Sequence, residues 1–274
     1  MIDMSAALEI ITRSSPGMVR TNNEDSVLAN APAGFVVLAD GMGGYNAGEV
    51  ASGMATALLG CELEQAFQQA PAWRREEGRS RACAVLEREV AKANGAIFQA
   101  AQSQPQYAGM GTTLVAAVFH DNRLAVAHLG DSRLYRNRGT DFIQVTRDHS
   151  LLQEQIDSGL ISAEDARHAE HRNLVTRALG VEPEAATEIH EYEVKQGDIY
   201  LLCSDGLNDM VDDDDIAMTL QLLAVNLDLC ATQLIQMAND NGGRDNVSVI
   251  LVKIKHEFPA RDGWISRFSA WFAK

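Results

Sequence analysis

A chain of 274 residues, 46% hydrophobic and 22% charged, has ordinary globular composition and enough length to bury a core of domain size. A net charge of −15 argues against nucleic acid or an anionic membrane as the main partner. No apolar run reaches the roughly 18 residues of a membrane span. The first ten residues lack a basic, apolar leader, and the four cysteines are far apart with no CxxC, so the expectation is a cytoplasmic protein with packed, reduced thiols.

The predicted elements begin with a strand at 8–13 (LEIITR) and a second at 35–39 (FVVLA) that runs into Asp40 and the glycines Gly41, Gly43 and Gly44. Gly43 and Gly44 are expected to take unusual backbone angles before a helix at about 46–69. A second helix covers about 79–102, where Val85, Val90, Ile97 and Phe98 recur among charged residues. Strands at 112–120 and 123–130 are joined by a hairpin turn at His120-Asp121-Asn122, and another strand follows at 132–138. Residues 147–180 are polar and read as helical. Strands return at 187–194, 198–204 and 247–254. Between the last two lie helices from Ile216 and at about 229–240. Asp212 to Asp215 suit the start of the first of these helices, because the spacing and central glycine of a calcium loop are missing. Strands in runs, with helices grouped between them, predict an α+β fold of antiparallel sheets.

Four carboxylates share one context. Asp40, Asp131 in HLGDSR and Asp205 in LLCSDGL stand beside glycine at a strand end, and Asp245 in GGRDNVSV stands two residues after one, just before the last strand. Any one of them is good turn chemistry. A buried carboxylate without a partner costs several kcal/mol or takes up a proton. Together, with oxygen donors, small neighbours and no Cys or His, the four suit Mg²⁺ or Mn²⁺.

Arg20-Thr21-Asn22-Asn23-Glu24-Asp25, Asp40-Gly41-Met42-Gly43-Gly44, Gly111-Thr112-Thr113, Gly130-Asp131-Ser132-Arg133, Ser204-Asp205-Gly206-Leu207 and Asp245-Asn246-Val247-Ser248 stand in the order of the PPM family. These are the metal-dependent protein serine/threonine phosphatases, or protein phosphatase 2C, and the chain resembles the bacterial type over residues 8–255. The resemblance implies a four-layer α-β-β-α sandwich of two antiparallel sheets flanked by helices, with a flap at about 147–180. It implies hydrolysis of phosphoserine and phosphothreonine on proteins by a monomer that reverses a cognate Ser/Thr kinase. The alternative is a pseudophosphatase, or a regulator that binds phosphoproteins without turnover.

By the same resemblance, two Mn²⁺ or Mg²⁺ ions are held by Asp40, which bridges them, the Gly41 carbonyl, Asp205 and Asp245. Asp131 with Asp205 resembles the pair that binds a third ion. Paired cations acidify a shared water, which makes hydroxide available near neutral pH. Arg20 is expected to grip phosphate, since a guanidinium matches two phosphate oxygens. Glu24 and Asp25 are expected to orient water or backbone around the ions. Met42 stands where many eukaryotic members carry a histidine acid, so the proton donor to the leaving group is unassigned, and His149 reads as structural.

Two segments stand apart. His168 and His171 have no third ligand and read as solvated. Residues 257–274 form an extension in which Trp264, Ile265, Phe268, Trp271 and Phe272 share one face of a predicted helix. That face suits a membrane surface, a partner, or the chain's own domain.

Overall fold

The structure is a computed structural model that describes residues 3–44, 47–76, 78–162, 165 and 174–260. The strands in the first half of the chain are β1 (Leu8–Ser15), β2 (Asp25–Asn30), β3 (Phe35–Met42), β4 (Arg75–Glu76), β5 (Arg79–Ser80), β6 (Gly111–Thr112) and β7 (Leu114–His120). Those that follow are β8 (Arg123–Leu129), β9 (Arg133–Arg138), β10 (Asp141–Gln144), β11 (Glu188–Glu193), β12 (Ile199–Cys203) and β13 (Val247–Ile254). The helices are α1 (Ala47–Gln69), α2 (Arg81–Ser103), α3 (Leu151–Asp157), α4 (Asp205–Asn208), α5 (Asp213–Leu222) and α6 (Leu227–Asp240).

One sheet runs β1-β13-β12-β9-β10 and the other β11-β8-β7-β3-β2, with β6 beside β3; β4 and β5 form a separate small hairpin. Every pairing is antiparallel. The strands that read as continuous apolar runs do so because both of their faces are covered. On β3, Phe35, Val37 and Ala39 pack under α1 and α2, while Val36 and Leu38 face the other sheet. On β12, Tyr200 and Leu202 meet that same inter-sheet layer, while Leu201 and Cys203 lie under α4 to α6. Three apolar layers therefore separate four layers of structure, as expected of an α-β-β-α sandwich.

Local chemistry sets the ends of the elements. Ser80, Ser150 and Asn226 cap α2, α3 and α6, each side chain accepting from a backbone N–H of the first turn. The β7–β8 turn is made by Asp121 and Asn122, with φ of 46° and 53°, the signature of a tight hairpin. Asp212 occupies the N-cap position of α5 without a side-chain cap bond, and Asp213 to Asp215 fill its first turn, which supports the dipole reading.

Three expectations need correction. Residues 147–180 were expected to be helical; among the described residues only α3 and Asp165 are, and residues 163, 164 and 166–173 lie outside the described residues. Gly159 has φ +71°, and isolated extended bridges join Ser150 to Val175 and Thr112 to Leu179. Cys61 is exposed, so tight packing holds only for Cys83, Cys203 and Cys230; all four thiols are free. Of the glycines after Asp40, Gly43 takes a positive φ of 154° but Gly44 does not. β2, β10 and the β4–β5 hairpin were not predicted, being short and only partly buried. His168, His171 and residues 261–274 lie outside the described residues.

Candidate metal centre

The site forms where β2, β3, β12 and β13 end or begin at one edge of the sandwich. Asp25 and Asp40 are paired in register across β2 and β3. The backbone of Asp40 is fixed by two threonines. Its carbonyl accepts from Thr112 Oγ1 and Thr113 N, each at 2.8 Å, and its N–H donates to Thr113 Oγ1 at 3.0 Å. Thr113 Oγ1 also lies 2.7 Å from Ser132 Oγ, which links this strand to the residue following Asp131.

Gly41 is glycine for steric reasons. A Cβ there would lie 2.1 Å from the Gly48 carbonyl oxygen in the first turn of α1 and 2.6 Å from that of Glu24. The missing side chain lets α1 start against β3, and Gly41 N donates to Glu24 O at 3.1 Å.

Asp205 opens α4 straight after β12. The Ser204 hydroxyl before it donates to Asp25 Oδ2 at 2.8 Å and accepts from Ser248 N at 2.9 Å, tying the two sheets together at the site. Asn246, beside Asp245, holds the 16–24 loop in place. Its amide donates to Pro16 O and Asn22 O, and its Oδ1 accepts from Glu24 N at 2.8 Å. That loop carries Arg20, whose guanidinium donates to Asp245 Oδ2 at 2.8 Å. Arg20 and Asp245 are both open to solvent, with side chains 53% and 34% exposed, so this is the face from which a substrate can approach.

The electrostatics follow from crowding. Burial raises the pKa of Asp40 well above the usual carboxylate range, and the charges of Asp25, Asp205, Asp131 and Asp245 raise it further. Asp205 is raised well above that range too, by burial and then by Asp131, Asp209, Asp245 and Asp25. Asp131 is pushed up to about 6 by burial and by Asp148 and Asp209. Asp25 also rises to about 6, mainly by burial, although hydrogen bonds from Ser248 and Ser204 oppose the shift. Glu24 is raised by burial, and its carboxylate lies over Gly48.

Buried, mutually repelling carboxylates at one point are a costly arrangement unless positive charge joins them. Asp25 Oδ1 adds an orphan acceptor, buried with no hydrogen-bond partner among the described residues. An all-oxygen donor set of this kind fits hard divalent cations, with Asp40, Asp131, Asp205, Asp245 and the Gly41 carbonyl available to hold them.

A second cluster escaped the sequence reading. Single ligand atoms of His128, His149 and Glu188 lie within 4.8 Å of one another. Their geometry favours hydrogen bonding over metal binding. The two rings are stacked at 4.7 Å and 15°, so their in-plane lone pairs run side by side rather than converging. His149 Nδ1 accepts from Gly130 N, its Nε2 is 3.2 Å from Glu188 Oε1, and His128 Nε2 is 3.0 Å from Arg147 O. This agrees with the structural reading of His149. The ring braces Gly130, the neighbour of Asp131, against β11.

The structure brings together Arg20, Glu24, Asp25, Asp40, Gly41, Asp205 and Asp245 through direct contacts or mutual charge, and Asp131 joins through its charge on Asp40 and Asp205. The positioning roles of Thr112, Thr113, Ser204 and Asn246 were missed. Their one sequence signal was to stand next to, or within, the strings that carry the aspartates.

The protein phosphatase 2C family profile matches residues 19–240. The serine/threonine protein phosphatase PstP of Mycobacterium tuberculosis is 40% identical over 255 residues, which is 93% of this chain but 46% of that protein. The chain thus spans about half the length of that relative. The serine/threonine phosphatase stp of Listeria welshimeri is 37% identical over 250 residues, covering 88% of this chain and 94% of the relative. A crystal structure of M. tuberculosis PstP superposes with a TM-score of 0.82 at 39% identity, over 91% of this chain and 100% of that one. A structure of the PstP catalytic domain in complex with two manganese ions has a TM-score of 0.79 at 38% identity, over 91% and 99%.

Proposed function

The chain belongs to the protein phosphatase 2C family, and on that premise we propose that it hydrolyses phosphoserine and phosphothreonine monoesters on proteins. The observation that carries this reading is the convergence of Asp25, Asp40, Asp131, Asp205 and Asp245 at a sheet edge whose open rim carries Arg20. Asp40, the Gly41 carbonyl, Asp205 and Asp245 would hold two Mn²⁺ or Mg²⁺ ions, and Asp131 a third. When bound, such ions supply Lewis-acid polarisation of a phosphoryl oxygen and acidify water.

The chain's own residues do the rest. Thr112 and Thr113 fix the Asp40 backbone, and Ser204 sets the Asp25 carboxylate. Arg20, once released from Asp245, presents two parallel donors to phosphoryl oxygens. Neither Met42 nor His149 serves as acid for the leaving alkoxide, because a thioether has no proton to give and the buried His149 ring accepts from Gly130 N through Nδ1 and faces Glu188 through Nε2 at 3.2 Å. The phosphoproteins consumed are the products of a protein Ser/Thr kinase in the same compartment, which we take to be the cytoplasm. Among the described residues no helix is long and apolar enough to cross a membrane.

The decisive assay is Mn²⁺-dependent turnover of p-nitrophenyl phosphate and a phosphothreonine peptide, with EDTA as control. Turnover of both, abolished by EDTA, is expected. Tight binding of the phosphopeptide without turnover would replace the enzyme with a phosphoprotein-binding regulator.

A further inference from the structure

The open rim of the metal centre carries two large apolar side chains. Met18 and Val19 directly precede Arg20 and are 69% and 66% exposed. Backbone contacts hold them there. Met18 N and Val19 N both donate to Gly243 O, at 2.7 and 3.2 Å, in the loop that leads to Asp245 and β13. Gly17 and Gly243, with φ of +77° and +50°, bring the two loops into contact. A Cβ at Gly17 would lie 2.2 Å from Asp245 O, and one at Gly243 would lie 2.7 Å from Met18 Cγ.

Two arginines adjoin this apolar pair. Arg20 follows it in the chain, and Arg244 follows Gly243, the residue on which it rests. Arg20 is half exposed, and Arg244 is exposed with no ion-pair partner among the described residues. A purely apolar partner would strip water from such cations and put nothing in its place. An anionic lipid surface is repelled by a chain of net charge −15. The surface suits a segment in which an apolar side chain stands next to a dianion. Under the phosphatase reading, on which this inference rests, a phosphoprotein substrate supplies such a segment. Consecutive Cα atoms are about 3.8 Å apart, so a chain that lays its phosphate on Arg20 brings a flanking residue within reach of Val19 and Met18.

We propose that Met18 and Val19 form a specificity lip, which takes an apolar residue flanking the phosphoserine or phosphothreonine of the substrate. Arg20 grips the phosphate, and the two side chains before it select the sequence around that phosphate. Seating the flanking residue buries apolar surface on both partners. The ordering cost on the protein side is low, because Gly243 fixes the lip in advance.

The test is kcat/KM, with Mn²⁺, for two phosphothreonine peptides of equal charge. One has leucine on both sides of the phosphoresidue and the other has glycine on both sides. The wild type should favour the leucine peptide about tenfold, the effect of burying roughly two methylene groups. In Met18→Gln combined with Val19→Thr, which keeps side-chain size and removes apolar character, the preference should fall below about threefold. The ratio between the two peptides is the readout, because a general disturbance of the Arg20 loop lowers both values alike and cancels. A wild-type ratio near one would overturn the proposal, and so would a preference that the double variant retains. If the double variant fails to fold, Met18→Gln alone decides, with the preference expected to fall by at least about twofold. Turnover of neither peptide nor p-nitrophenyl phosphate would overturn the phosphatase reading and the lip together, whereas equal turnover of both peptides overturns the lip alone.

Discussion

Asp25 and Asp40 stand opposite each other across β2 and β3, two half-buried carboxylates in direct register. Like charges facing across a strand pair destabilise it. Ser204 relieves one oxygen of Asp25 and leaves the other, Oδ1, without a partner. The pair is an electrostatically costly element of the fold, and bound divalent cations would offset that cost.

Adding Mn²⁺ should therefore raise the melting temperature, by the equivalent of about 2.7 kcal/mol at a hundredfold excess over Kd. Asp40→Asn should abolish both that shift and most turnover, while its EDTA form melts no lower than the wild type. Asp25→Asn should weaken metal affinity by roughly 10–100-fold. A wild-type Mn²⁺ shift in Asp40→Asn, read by differential scanning fluorimetry, would remove Asp40 from the ligand set.

Arg20 donates to Asp245 at the open rim of the site. Arg20→Ala should raise KM for a phosphopeptide roughly 10–100-fold, the worth of a hydrogen bond to a charged group, and change kcat less. Arg20→Lys should recover only part of this, since an ammonium offers no planar fork. A loss confined to kcat would show that the contact forms only in the transition state.

Gly41→Ala places a methyl 2.1 Å from the Gly48 carbonyl. Backbone cannot give way there as a side chain would, so α1 must move off β3. Overpacking of this kind costs typically 1–3 kcal/mol, and here it also displaces the carbonyl offered to the metal. Urea unfolding should show the lost stability, and the Mn²⁺ requirement for activity should rise. Unchanged values in both would mean that the close approach is not maintained in solution.

Asn246 satisfies three backbone groups of the Arg20 loop. Asn246→Ala leaves them unpaired, at about 1–3 kcal/mol for each buried group that water fails to reach. Hydrogen exchange should accelerate across residues 16–24, with a rise in KM like that of Arg20→Ala. Wild-type exchange in that loop would argue against the role.

His120, His128 and His149 are each shifted below the ordinary imidazole value, in every case mainly by burial. A group that holds its proton less tightly when folded than at its unfolded pKa of about 6.5 stabilises the fold fully above that value. The contribution is lost as pH falls through the folded pKa. Protonation of these rings should accordingly lower the urea midpoint from pH 7 toward pH 5, opposed in the EDTA-treated protein by the raised Asp25 and Asp131 as they take up protons. In His128→Gln, whose amide can still donate to Arg147 O, that drop should be smaller. An equal slope in the variant would clear His128 of the effect.

The sequence by itself determined the strands buried on both faces, because Phe35 to Ala39 and Val247 to Ile254 have no polar side that could meet water. It also marked Asp40, Asp131, Asp205 and Asp245, since a carboxylate close to glycine at a strand terminus is visible in one dimension. Tertiary structure decided what lies between distant segments. Ser204 reaches Asp25 across 179 positions and Asn246 reaches Asn22 across 224. The stacking of His128 on His149, and the contact of the Gly17 turn with the Gly243 loop, depend likewise on which strands become neighbours. Hydrophobic periodicity records how each residue relates to its own strand and to water. A hydrogen bond between two polar side chains leaves no such periodic trace, so it became visible only once the sheets were packed.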